Sequence, residues 1–116
     1  FELAGIAGVC IGAAKRRMPV IIDGFISTAA ALAAVRLAPL AVGYLIASHR
    51  SAEPGHTLLL EALGLAPMLE LGMRLGEGTG AALCMRIVEA AADVLGAMAT
   101  FESAGIFGPE SQGISV

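Results

Sequence analysis

Aromatic residues are scarce in this sequence, and their scarcity restricts the kind of core it can build. They make up 4% of the chain, whereas hydrophobic residues make up 57%, against roughly 45–50% in typical soluble domains. The apolar excess therefore consists of alanine, leucine, isoleucine, valine and methionine. Such residues fill thin layers, as in helices that cover both faces of a sheet. Because a small free-standing domain needs much polar surface, we expect apolar surface here to contact a missing segment or a second subunit.

The chain also lacks an excess of positive charge. Seven Lys and Arg residues stand against ten Asp and Glu residues, and the isoelectric point is near 5.2. This balance argues against nucleic-acid binding, which normally requires a basic face. The basic cluster at 15–17 falls at a predicted helix end, where cations complement the helix dipole. Cys10 and Cys84 have no CxxC spacing, which predicts buried free thiols in a reducing, cytoplasmic compartment.

No apolar run is long enough for a membrane helix, although the mean hydropathy is +0.82. Arg36 and Pro39 interrupt the best candidate, residues 27–48, so that each part is shorter than the ~20 apolar residues of a spanning helix. No signal peptide is visible, because neither an initiator Met nor a basic region precedes the opening FELAGIAGVCIGAAKRR. We therefore expect no membrane partner. The opening resembles the middle of a helix, which predicts the C-terminal part of a longer polypeptide.

Short apolar strands that alternate with helices predict an α/β fold. VII, at 20–22, is typical of a buried parallel strand, and Ser27 or Thr28 is the predicted cap of a helix that stops before Pro39. LAVGYLIAS, at 40–48, predicts a second strand. The other predicted helices cover residues 2–17, 57–64, 68–74 and 80–101. The longest of these has a predicted apolar stripe of Leu83, Ile87, Val88, Ala91, Val94, Leu95, Met98 and Phe101.

Crossover helices between strands imply a parallel sheet, and open parallel sheets bind ligands at the carboxyl ends of their strands. DGFIST follows the first strand and SHRSAEPGH follows the second, so two polar loops should lie side by side. In the first loop, Asp23 either accepts backbone N–H bonds in a turn or orients ribose hydroxyls or a catalytic water. The helix that Ser27 and Thr28 open has free N–H groups that could attract a phosphate.

The second polar loop is crowded with side chains that could bind a ligand. It contains His49, Arg50, Ser51, Glu53 and His56. Neither histidine has the i,i+4 partner or the cysteine neighbour of a convincing zinc site, so we predict no metal and instead a hydrogen-bonded loop that also contacts substrate. Arg50 pairs either with a phosphate or with Glu53.

Glu77 lies alone between two glycines in MRLGEGTGAAL, immediately before the last predicted helix. It is either a first-turn acid favoured by the helix dipole or a functional carboxylate. Gly76 and Gly78 let a flat ligand approach the backbone. Apolar walls at Leu75 and Met73 would disfavour the charged carboxylate, which suits a general base that acts near neutral pH.

Three motifs, VIIDGFISTAAALAA, YLIASHRSAEPGH and LELGMRLGEGTGAAL, together closely resemble the C-terminal third of the nicotinate-nucleotide–dimethylbenzimidazole phosphoribosyltransferase family of cobalamin nucleotide-loop assembly. The resemblance covers residues 2–104. It implies an α/β enzyme with a Rossmann-like parallel sheet and flanking helices, assembled as a homodimer. We expect residues 1–104 to form the C-terminal part of the α/β domain, with a helical extension and a long C-terminal helix, and residues 105–116 to be a flexible tail.

The resemblance also implies a reaction and a set of site residues. The family transfers the phosphoribosyl group of nicotinate mononucleotide to 5,6-dimethylbenzimidazole, giving α-ribazole 5′-phosphate and nicotinate, with no metal or organic cofactor. It implies that Glu77 is the general base. The other implied residues are Leu75, Gly76 and Gly78 against the flat base, and Asp23, Gly24 and Ser51 near the ribose phosphate and the departing nicotinate. The alternative is an inactive, truncated packing or dimerisation module of that enzyme.

Overall fold

Four α-helices and two short strands follow the chain in an α/β order in the structure, a computed structural model that describes residues 1–106. The helices are α1 (Glu2–Lys15), α2 (Phe25–Leu37), α3 (His56–Leu63) and α4 (Thr79–Ala97). The strands are β1 (Val20–Ile22) and β2 (Leu45–Ala47), and a 3-10 helix covers Pro39–Tyr44. The helix predicted over 57–64 is therefore confirmed as α3, displaced by one residue.

The two strands form a parallel pair joined by α2. Val20 lies opposite Leu45, and Ile22 lies opposite Ala47. A strand, a crossover helix and a parallel strand form the repeating unit of Rossmann-like sheets, so the predicted α/β class is confirmed. Both strands end at the same edge of the sheet, which brings the loop after β1 beside the loop after β2, as predicted.

The core lies between α1, α2, α3 and the sheet, and alanine and cysteine make up more than half of it. Its buried members are Ala7, Cys10, Ile22, Ala31, Ala34, Leu45, Ala47, Leu60 and Leu63. Alanine and cysteine side chains allow the helices to approach the sheet closely, which agrees with the thin layers expected from the composition. Cys10 and Cys84 are buried free thiols, as predicted. Burial raises the pKa of both thiols, which keeps them protonated and unreactive.

The predicted strand over 40–48 is wrong in its first half. Residues 39–44 form a 3-10 helix, with Pro39 in its first turn, and β2 begins only at Leu45. Proline fixes the backbone φ near the helical value and has no N–H to give to a strand, so it favours the helical turn. The predicted helix over 68–74 is also absent: Leu69 forms a parallel bridge with His49, and the carbonyl of Met73 accepts the N–H of Ala52 at 3.1 Å.

The prediction that Ser27 or Thr28 caps the second helix is wrong as well. That helix begins at Phe25, with Gly24 as its N-cap residue. The Ser27 and Thr28 hydroxyls instead donate to the carbonyl of Gly24, at 2.9 and 2.8 Å. Both hydroxyls are therefore hydrogen-bonded within the first turn, so they do not cap the helix.

Helix α4 extends away from the other elements, and its predicted apolar stripe is largely exposed. The exposed fraction is 82% for Leu95 and 78% for Phe101. The helix ends at Ala97, four residues before the predicted end at 101. Within residues 1–106, none of the helices combines the length and the apolar character that a membrane crossing requires. Most of the predicted flexible tail, from residue 107 onward, lies outside the described residues.

Candidate functional site

A cavity of about 760 Å³ lies at the carboxyl ends of the two strands. The loop after β1, the loop after β2, the first turns of α1 and α2, and the turn before α4 all contribute to it. The lining residues are Glu2, Ile6, Asp23, Gly24, Phe25, Ile26, Ser27, His49, Ser51, Glu53, Arg74, Gly76, Glu77 and Gly78. Six of the seven predicted site residues are therefore brought together here. The seventh, Leu75, does not line the cavity and is 73% exposed.

Asp23 holds the N-terminus of α4 on the end of β1. Its Oδ2 accepts the N–H of Gly78 at 3.2 Å, and its Oδ1 accepts the N–H of Ala81 at 3.0 Å. These N–H groups belong to the N-cap residue and to the third residue of the helix. In a capping box, side chains at those same two positions accept these hydrogen bonds. Of the two roles left open by the sequence, the structure therefore shows backbone hydrogen bonding, with amides 55 and 58 residues away rather than in a local turn.

Glu77 lies at the mouth of the cavity in an unusual backbone conformation. Its φ is +57°, and the flanking Gly76 and Gly78 have φ of +78° and +77°. A left-handed conformation costs a non-glycine residue roughly 1–2 kcal/mol, and such strain concentrates at functional sites. Because glycines take the two neighbouring positions, the turn confines this strain to the one residue that carries a carboxylate.

The apolar walls expected around Glu77 are not formed by its chain neighbours. Glu77 is itself exposed, Leu75 is largely exposed, and Met73 is only half-buried. The prediction that these two side chains desolvate the carboxylate is therefore wrong for the described residues. The Glu77 carboxylate instead lies at an open edge, where a ligand can reach it from the cavity.

His56 is a structural residue of the site. It is fully buried, its Nδ1 accepts the N–H of Ser51 at 2.9 Å, and its Nε2 lies 2.9 Å from Thr28 Oγ1. Because an amide N–H can donate only to an unprotonated nitrogen, the proton is on Nε2 and is donated to Thr28. Burial, followed by the charges of His49 and Arg50, lowers the pKa of His56. His56 is thus a neutral bridge between the second loop and α2.

His49 is 2% exposed, yet it lines the cavity. Its Nδ1 lies 3.0 Å from Ser48 Oγ and 3.7 Å from Asp23 Oδ1. Gly80, in the first turn of α4, packs on the imidazole ring so closely that a Cβ at this position would overlap it. The ring therefore connects the loop after β2 to α4, beside the carboxylate that caps the same helix.

Arg50 does not form the pair with Glu53 that was one of its two expected pairings. Its Nε donates to Glu70 Oε1 at 2.8 Å, and one terminal nitrogen donates to Thr57 Oγ1 at 3.1 Å. These bonds direct its guanidinium to a surface ion pair, so it does not line the cavity. Within residues 1–106 no group of three or more potential ligand side chains could hold a metal ion.

Gly80 and Arg74 are site residues that the sequence reasoning missed. Gly80 is the third glycine of GEGTG, and a glycine inside a helical pattern indicates close contact with a neighbour, a signal that was available. Arg74 lines the cavity two residues before Gly76, and its position near that motif was the only sequence indication.

Comparison with known proteins agrees with the motifs. A family model described as phosphoribosyltransferase matches residues 1–106. The nicotinate-nucleotide–dimethylbenzimidazole phosphoribosyltransferase of Syntrophobacter fumaroxidans is 59% identical over 91% of this chain and 30% of its own length. The Chloroflexus aggregans protein of the same name is 60% identical over 90% of this chain and 30% of its own length.

The fold also matches a solved structure. The crystal structure of nicotinate-nucleotide–dimethylbenzimidazole phosphoribosyltransferase from Thermus thermophilus superposes with a TM-score of 0.83 at 48% identity, covering 92% of this chain and 32% of that chain. The present chain thus spans about 30% of the length of the curated relatives it matches. Since the family model matches all the described residues and the fold superposes, the chain belongs to the nicotinate-nucleotide–dimethylbenzimidazole phosphoribosyltransferase family.

Proposed function

We propose that this chain carries the general base for transfer of the phosphoribosyl group of nicotinate mononucleotide to 5,6-dimethylbenzimidazole, with α-ribazole 5′-phosphate and nicotinate as products. On this proposal residues 1–104 are the C-terminal part of an α/β phosphoribosyltransferase domain. The support comes from the names of the relatives and from the cavity at the strand ends. Since the chain spans about 30% of those relatives, other parts of the enzyme would complete the pocket.

The chemistry of the reaction explains why an acid is needed at Glu77. One nitrogen of the benzimidazole attacks the anomeric carbon, and the ring becomes cationic unless the other nitrogen loses its proton. A carboxylate that accepts a hydrogen bond from that N–H increases the electron density of the attacking nitrogen and takes up the proton as the new bond forms. Nicotinate leaves from a pyridinium that already carries positive charge, so its departure requires no acid.

The observation that carries the proposal is the glycine–glutamate–glycine turn at the mouth of the cavity. All three of its residues have positive φ, and a strained carboxylate beside a cavity is typical of a functional position. Asp23 supports this position indirectly, because its carboxylate bonds the amide of Gly78, the residue next to Glu77.

The other predicted residues have different degrees of structural support. Gly24, Ser51, Gly76 and Gly78 line the cavity, and we propose that they contact the nucleotide or the flat base. Leu75 has no such support, because it does not line the cavity in the described part of the chain. For Asp23, we propose that helix capping dominates over direct contact with ribose, since both of its oxygens already accept hydrogen bonds.

A chimera tests the proposal. Residues 1–106 replace the matching segment of the Thermus thermophilus enzyme, with which they share 48% identity, and α-ribazole phosphate formation is followed by chromatography. Glu77→Gln keeps the size of the side chain but removes the base, so we expect kcat to fall by about 10²–10⁴-fold with little change in nucleotide binding.

The matched control is Glu61→Gln, which neutralises an exposed glutamate on α3, away from the cavity. We expect this variant to keep the kcat of the unmodified chimera. A Glu77→Gln chimera that turns over at the unmodified rate would refute the assignment of the general base. An unmodified chimera that folds but makes no product would refute the proposed activity itself.

A packing or dimerisation module is the second candidate function, and the exposed apolar side chains of α4 favour it. We propose that this surface is covered in a homodimer or by another segment of the enzyme, and that the protein is cytoplasmic, in keeping with its two buried free thiols. Sedimentation equilibrium of the isolated chain tests self-association, because a monomer at all concentrations would contradict the homodimer.

A further inference from the structure

His49 has one ring nitrogen that the protein does not use. The ring is 2% exposed, and the described residues offer a partner to Nδ1 but none to Nε2. Within those same residues, every fully buried side-chain nitrogen or oxygen has a hydrogen-bond partner. Nε2 must therefore be reached by solvent, and because His49 lines the cavity, the cavity is where this contact lies.

The hydrogen bonds around Ser48 determine which nitrogen of the neutral ring carries the proton. The Ser48 hydroxyl has one proton and donates it to the carbonyl of Asp23 at 3.3 Å. It can therefore serve His49 only as an acceptor, so Nδ1 carries the proton and donates to Ser48 Oγ at 3.0 Å. The Asp23 carboxylate, 3.7 Å from Nδ1, favours a proton on the same nitrogen. Nε2 is left with a free lone pair that faces the cavity.

A lone pair on a buried nitrogen selects ligand groups that donate a hydrogen bond. The candidate donors are the hydrogen-bonding groups of the proposed substrates, so the choice among them rests on the proposed function. A phosphate dianion and the nicotinate carboxylate have no donor, the pyridinium ring has no N–H, and the benzimidazole N–H is bound by Glu77. Only the hydroxyls of the ribose remain.

We infer that His49 is a substrate-binding residue whose Nε2 accepts a hydrogen bond from a ribose hydroxyl of the nucleotide. The depths of the residues agree with this assignment, because Glu77 is exposed at the cavity mouth and His49 is buried at its floor. Gly24 leaves room beside this nitrogen, because a Cβ at that position would lie 3.9 Å from Nε2, in van der Waals contact with the ring.

Two substitutions at His49 test the roles of the two ring nitrogens independently. In His49→Asn, the side-chain amide takes the place of Nδ1 and keeps the bond to Ser48, but nothing reaches the position of Nε2. In His49→Gln, the amide takes the place of Nε2 and loses the bond to Ser48. A structural role for His49 predicts that the Asn variant is the milder one, whereas the inferred role predicts that the Gln variant binds nucleotide better.

Binding is measured by calorimetry at pH 8, where an ordinary histidine is neutral, with the chimera described above. The probes are nicotinate mononucleotide and its 2′-deoxy and 3′-deoxy analogues. With unmodified His49 we expect one deoxy analogue to bind about fivefold more weakly than the ribonucleotide, the effect of one hydrogen bond. We expect His49→Asn to abolish this preference and His49→Gln to keep it. ¹⁵N NMR of the same protein should show an unprotonated Nε2 that shifts on binding the ribonucleotide.

Three results would overturn the inference. They are a protonated Nε2 in the free protein at pH 8, equal affinity for all three nucleotides with unmodified His49, and an unchanged hydroxyl preference in His49→Asn. The first two leave the proposed phosphoribosyl transfer intact if the unmodified chimera makes product. Failure of nicotinate mononucleotide to bind at all would refute both the inference and the proposed function.

Discussion

Asp23→Asn tests the hydrogen bonds that attach α4 to the sheet. The substitution keeps the shape of the side chain but replaces one carboxylate oxygen with an NH₂ group, which must then face a backbone N–H. One hydrogen bond to a charged acceptor is lost, at about 1.5–3 kcal/mol, together with about 0.3–1 kcal/mol from a negative charge at a helix N-terminus. The remaining amide oxygen keeps the other bond. We therefore expect a loss of about 2–4 kcal/mol.

This loss should appear at α4 before it appears in the rest of the chain. Helix α4 makes few contacts with the other elements apart from β1, so its first turn can open while the core stays folded. A loss of about 2–4 kcal/mol corresponds to an opening equilibrium about 30- to 900-fold more favourable. Amide hydrogen exchange of residues 78–84 measures it directly, with core amides of α2 as an internal reference.

Asp93→Asn is the matched control, because Asp93 is an exposed acid on the same helix. Its exchange rates should equal those of the unmodified chain. If the first turn of α4 keeps its protection within about threefold in Asp23→Asn, the two hydrogen bonds contribute little, and the reasoning that Asp23 positions Glu77 through α4 is refuted.

Two further predictions concern stability. Because burial lowers the pKa of His56 in the folded chain, His56 takes up a proton in the unfolded chain, below about pH 6.5, before it does so in the folded chain. In urea denaturation, the free energy of unfolding should therefore be constant above that pH and fall by up to about 1.4 kcal/mol per pH unit below it. His56→Asn can still accept the N–H of Ser51 but cannot take up the proton, so it should lose this pH dependence. The same slope in His56→Asn and in the unmodified chain would contradict the prediction. Gly80→Ala should lower the melting temperature, because its Cβ would overlap the ring of His49. Gly96→Ala is the control on the same helix; its Cβ would lie in open space, and it should raise the free energy of unfolding by up to about 1 kcal/mol. A Gly80→Ala variant as stable as Gly96→Ala would refute this packing.

Sequence patterns correctly predicted the helices and strands whose conformation depends on neighbouring residues in the chain. VII became β1, and the apolar periodicity after GEGTG became α4. The apolar run at 40–48 failed because such a run fits a strand and a buried helical turn equally well, and Pro39 decided in favour of the turn. The stretch at 68–74 was predicted as helix, but Leu69 is held in extended form by its bridge to His49, a partner 20 positions away that no local pattern reveals.

The site shows the same division between local and distant contacts. The order of strands placed Asp23 and Ser51 at one cavity, as expected for the edge of a parallel sheet, whereas Glu77 was indicated by its glycine-bordered turn and by the family resemblance. The two acceptor bonds of Asp23 were beyond prediction, since their donors lie 55 and 58 residues along the chain. The orientation of His49 depends on Ser48 and Gly80 together, and only their packing in three dimensions brings them into contact.

The left-handed turn at Glu77 has a consequence for how such a sequence changes over time. Glycine at that position would escape the Cβ penalty of roughly 1–2 kcal/mol, offset in part by about 0.4–1 kcal/mol of additional disorder in the unfolded chain. Pressure for stability alone would therefore turn GEGTG into GGGTG by a single codon change. A lineage that keeps the acid must be selected for what the carboxylate does, so copies that are still selected for a stable fold but no longer for the activity should be recognisable by glycine at this position.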